Sequence, residues 1–108
     1  MPVYNKLVRD KIPEIIHSNG KACTTKVLND GEYEKELKKK LKEEMTEYLS
    51  AQNKSEALEE LADVLEIIHA LSHIHGASIE QVEKIRVDKA QIRGGFNDKM
   101  FLVEVEDE

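Results

Sequence analysis

Apolar residues recur along most of the chain with the spacing of helices rather than of strands. Leu37, Leu41, Met45, Tyr48 and Leu49 fall largely three or four apart, so a helix is expected from Asp30, taken as its cap, to about Ala51. A further helix is expected from near Asn53 or Ser55 to just before Gly76. Ser78 and Gln81 form a capping-box pair opening another, which stops at Gly94 and Gly95. Near the start, a short helix from about Lys11 to Asn19 takes Asp10 as N-cap, tolerates Pro13 in its first turn and stops at Gly20. Residues 23–28 carry β-branched side chains between two glycine turns and read as a short strand. Phe101 to Val105 alternates well enough for a closing strand, with pairing between the two as one arrangement.

The fold class expected is mainly α: an antiparallel bundle of about four helices with minor short strands, one domain over residues 1–108. The third helix asks for more than one protomer supplies. Leu58, Leu61, Val64, Leu65, Ile67, Ile68, Leu71 and Ile74 cover an arc of roughly 200° at 100° per residue. A helix at the edge of a monomer needs a stripe nearer about 100°. The bundle is therefore expected to be completed by dimerisation, as a homodimer or a dimer of dimers.

Composition narrows the functional classes. The chain has 108 residues, 16 Lys plus Arg against 22 Asp plus Glu, and a formal charge of −6. That balance argues against neutralising nucleic-acid phosphates with its own cations. No apolar run approaches the length of a membrane span. Cys23 is the single cysteine, which excludes an internal disulfide and fits a cytoplasmic setting.

In a chain with 22 acids, carboxylates at i,i+3 arise by chance; their place on the helix wheel is what discriminates. With Leu37 at zero, Tyr48 lies at about 20°, Leu41 at about 40° and Glu44 at about −20°, so Glu44 is flush with the apolar stripe. Glu47, at about −80°, is on its rim. On the next helix Glu60 falls between Ile67 and Leu71, inside the apolar arc, and Asp63 sits on the rim beyond Ile74. A carboxylate facing an apolar core is costly unless it is protonated, paired or metal-bound. If the two helices pack antiparallel, Glu44, Glu47, Glu60 and Asp63 converge, and an all-oxygen set favours Mg²⁺, with Mn²⁺ as substitute, over Zn²⁺. Pairing with lysines of a neighbouring helix is the plainer alternative.

These residues carry a resemblance. Glu43-Glu44-x-x-Glu47 followed by Glu59-Glu60-Leu61-Ala62-Asp63 resembles the paired ExxE and ExxD signature of the all-α nucleoside triphosphate pyrophosphohydrolases. That is the MazG-like superfamily, which includes phosphoribosyl-ATP pyrophosphohydrolase and dimeric dUTPases. The block YNKLVRDKIP at residues 4–13 and the late Lys89-x-x-x-Arg93-Gly94-Gly95-Phe96 resemble a small house-cleaning branch. The resemblance implies Mg²⁺ on Glu44, Glu47, Glu60 and Asp63, an obligate oligomer, and cleavage of a nucleoside triphosphate to monophosphate and pyrophosphate.

Four cations are candidates for the phosphates of such a substrate. Lys89 and Arg93 share a face of the fourth helix, and Arg9 and Lys11 flank the start of the first. Each has a plainer role, at a helix end or in solvent. His69 and His73 with Glu66 share a helical face but lack an HExxH pattern, and a zinc site there is disfavoured. Two other readings stay open: a non-catalytic helical dimer binding a nucleotide or protein partner, and phosphoribosyl-ATP as the substrate.

Overall fold

Caps written into the sequence decide where the helices begin and end. The structure, a computed structural model, describes residues 2–107 and contains α1 (Ile12–Ser18), α2 (Asp30–Leu49), α3 (Lys54–Ile74) and α4 (Ile79–Arg93). Asn29, in extended backbone, accepts a hydrogen bond from the Glu32 amide at 2.8 Å and so caps α2. The expected cap, Asp30, is instead the first residue of the helix, where its charge complements the dipole. Asn53 caps α3 in the same way, while Glu56 returns a bond to the Gln52 amide. Ser78 and Gln81 exchange both bonds of the capping box that opens α4. At the end of α3, Gly76 turns left-handed (φ 71°), so that its amide reaches His73 O and the Ala77 amide reaches Ser72 O. These paired bonds satisfy carbonyls that the helix would otherwise leave open.

The first helix departs from expectation. Asp10 does not cap it; Lys11 holds that position with no side-chain bond, and the helix is only seven residues long. No strand forms among the described residues, so the strands expected at 23–28 and 101–105 are corrected to extended chain. β-branched composition favours a strand only where a partner completes the ladder and a face is covered. Here Val27 and the run Met100 to Val103 stand almost fully in solvent.

Four-residue connections fold α3 back on α2 and α4 back on α3. α2 packs along α3, α4 touches α3 alone, and α1 packs on none of them. The register that brings Glu44 to Glu60 sets Leu37 level with Ile67, two turns further from the α2–α3 connection in both helices. Leu37 and Ile67, 4% and 5% exposed, are the fully covered apolar residues of the described chain. The protomer is long and thin, 64 × 36 × 24 Å with a radius of gyration of 18.8 Å. A compact domain of this length would have a radius near about 13 Å. No helix is long and apolar enough to cross a membrane.

Candidate metal centre

Acids from both sides of the α2–α3 seam meet near its connected end. Glu44, Glu47 and Glu60 each offer an oxygen, and these oxygens lie within 4.8 Å of one another. Glu44 and Glu47 are one turn apart on α2, and Glu60 reaches them from α3. Glu44 and Glu60 are half-buried, and Glu47 is exposed. The seam that seats Leu37 and Ile67 therefore also seats two carboxylates.

Satisfaction of these oxygens is incomplete. Glu44 Oε2 and Glu60 Oε2 are both shielded from solvent and have no hydrogen-bond partner. Lys40, one turn before Glu44, approaches its other oxygen at 3.8 Å, a loose pair rather than a direct hydrogen bond. Lys40 belongs to α2 itself, so the expected alternative of a lysine from a neighbouring helix does not appear among the described ion pairs of these three acids. The Glu60 carboxyl is pushed up to about 7, first by the adjacent Glu44 carboxyl, next by loss of surrounding water, then by Glu47. Crowding of the three carboxyls thus disfavours the charged form of Glu60.

Asp63 does not join the three glutamates. It lies one turn beyond Glu60, and its Oδ1 accepts a 2.7 Å hydrogen bond from Arg9. The wheel correctly gave Asp63 a rim position, but Arg9 lies 54 residues away in sequence and its approach leaves no local signal. Of the four acids expected together, Glu44, Glu47 and Glu60 converge, and Asp63 is engaged by Arg9 one turn away. Arg9 is thereby held at Asp63, one turn along α3 from Glu60. Among the described residues, no hydrogen bond or ion pair ties Lys11, Lys89 or Arg93 to these acids. Lys89 and Arg93 are exposed on α4, which does not touch α2.

Two surface hollows lie away from Glu44, Glu47 and Glu60. A pocket of about 10 Å³ lies beside Lys6, Leu7 and Lys40, and an open hollow of about 640 Å³ is lined by residues 93–101. Sequence reasoning missed Lys40 as Glu44's neighbour, although its i,i+4 spacing signals the pair. It also missed the approach of Cys23 Sγ to His17 Nε2 at 3.5 Å.

Comparison with known proteins adds one partial match. No family model and no solved structure matches the chain. An uncharacterized protein of Mycolicibacterium smegmatis is 43% identical over 54 residues, covering 50% of this chain and 55% of that protein. The chain spans about half the length of this curated relative.

Proposed function

We propose that the chain hydrolyses a nucleoside or deoxynucleoside triphosphate to the monophosphate and pyrophosphate with Mg²⁺, clearing aberrant nucleotides as a MazG-like enzyme. The observation that carries this reading is the meeting of Glu44, Glu47 and Glu60 within 4.8 Å, two of them with a shielded, unpartnered oxygen. Leucine at either buried position would pack without that repulsion, so the acids have a use other than packing.

An all-oxygen donor set suits Mg²⁺ or Mn²⁺, and Glu44, Glu47 and Glu60 are the residues to hold it. Such an ion, when bound, neutralises phosphate charge and lowers the pKa of water. The chain's own residues account for the rest. Glu47, exposed on the rim, is our choice to accept the proton of the attacking water. The water oxygen bonds to the α-phosphorus, the bond to the bridging oxygen breaks, and pyrophosphate leaves. Arg9, beside Asp63, supplies positive charge at the edge of a protein whose net charge of −6 repels a triphosphate. Lys11, Lys89 and Arg93 are proposed phosphate contacts on the weaker ground of resemblance.

The experiment is pyrophosphate release from a panel of nucleoside and deoxynucleoside triphosphates, with Mg²⁺ and with chelator. Release that needs Mg²⁺ and is lost in Glu44→Gln and Glu60→Gln is expected. Thermal stabilisation by a nucleotide with no pyrophosphate from any member would replace the enzyme with a binding protein. Release from phosphoribosyl-ATP alone would reassign the substrate.

A further inference from the structure

We infer that Lys40 is the polyphosphate contact of the α2–α3 seam. It is paired with Glu44 in the structure, and it turns to phosphate oxygens once a divalent cation takes that carboxylate. This rests on the metal reading proposed above and adds to it a residue and an exchange of partners.

The ground is where the cations stand. Lys40 precedes Glu44 by one turn and Asp63 follows Glu60 by one turn. In antiparallel helices both therefore lie on the same side of the acids, away from the α2–α3 connection. Arg9 is bound to Asp63 at 2.7 Å, and Lys6 lines a small pocket with Lys39, Lys40, Glu36 and Glu43. Cations from the N-terminal segment and from α2 thus gather along one flank of the acid group.

Lys40 is covered yet uncommitted. Its side chain is 24% exposed, and its Nζ stands 3.8 Å from Glu44 Oε1, too far for a direct hydrogen bond. An ammonium carries three donors, and among the described residues no hydrogen bond engages them. With Glu44 committed to a cation, Lys40 loses its partner, and phosphate oxygens drawn to the same cation replace the lost negative charge. A compact charge on a flexible stem suits such an exchange. A contact for those oxygens has to stand beside Glu44. Lys40 does, whereas Lys89 and Arg93 belong to α4, which does not touch α2.

Calorimetric titration of the full chain with Mg²⁺ alone, then with inorganic tripolyphosphate at saturating Mg²⁺, tests it. Lys40→Gln should tighten Mg²⁺ by about 2- to 5-fold, the scale of a loose ion pair, because a rival for Glu44 is gone. The same substitution should weaken tripolyphosphate by roughly 10- to 100-fold, the scale of a hydrogen bond to a charged group. Glutamine matches the helix propensity of lysine, so the fold is retained. Lys38→Gln removes the same charge about 160° around α2, where Lys38 pairs with Glu34, and should change neither affinity. Opposite shifts in Lys40→Gln with none in Lys38→Gln support the inference. Equal shifts in the two variants reduce the effect to net charge and overturn it. Mg²⁺ binding with tripolyphosphate indifferent to Lys40→Gln overturns it and leaves the metal reading intact. A wild-type chain that binds no Mg²⁺ overturns both.

Discussion

The two sides of α3 carry each other's expected side chains. Toward α2, where water is scarce, the helix presents Glu60 among Ile67, Leu71 and Ile74, and α2 answers with Glu44. On its other side, in solvent, it presents Leu58, Leu61 and Leu65. A helix shaped only for protomer stability would exchange these sets. The acids on the dry side leave two shielded oxygens without a partner, and the leucines on the wet side stand bare in the protomer. One helix thus displays two unmet needs, one electrostatic and one hydrophobic, on separate arcs.

Substitutions can break this contrast, the sharpest being Glu60→Leu. It removes a carboxylate from the seam while filling the same space. Pyrophosphate release should fall by the order of 10²–10³-fold, as when an electrostatic contact to a reacting centre is lost. The metal-free melting temperature should rise in the same variant. Retained turnover, or a lower melting temperature, would mean that Glu60 is an ordinary structural residue.

Leu65→Ala probes the other arc. Truncation of a solvent-exposed leucine changes stability by no more than about 0.5 kcal/mol, whereas truncation of a covered one costs about 2–5 kcal/mol. Chemical denaturation should give the larger loss. A value near zero would leave the stripe bare in solution.

The acids also set a dependence on pH. Glu60 holds its proton up to about 7 in the folded chain, against 4.5 for an unperturbed carboxyl. Between those values the folded state binds more protons than the unfolded one, so metal-free stability should be highest below pH 4.5 as far as Glu60 alone decides it, and should fall as pH rises to about 7. Added Mg²⁺ should oppose that fall, since it displaces the same proton. A melting temperature indifferent to pH across this window in both Glu60 and Glu60→Gln chains would contradict the crowding. The smallest change, Ser78→Ala, should cost about 1 kcal/mol through loss of the α4 cap and leave Mg²⁺ binding untouched, separating general weakening from effects on either arc.

How much of this was legible follows the range of each interaction. Caps at Asn53 and Ser78 and the stop at Gly76 are local, and the three long helices could be read from them. Glu44 and Glu60 were legible because the wheel puts each within an apolar stripe, and the short connection between α2 and α3 forces the stripes together. The strands were not, because Val27 and Phe101 show propensity without showing whether a partner strand lies alongside. The Arg9–Asp63 pair joins an N-terminal segment to α3, and periodicity is silent on contacts of that span. The cap of α2 was misread by one residue because Asn29 and Asp30 both suit the position.

The bare leucines of α3 matter before any reaction takes place. A newly made chain exposes Leu58, Leu61 and Leu65, and apolar stripes left uncovered invite aggregation. Were a second copy to cover them, stability would obey mass action, and dilution would lower the fraction of folded chains.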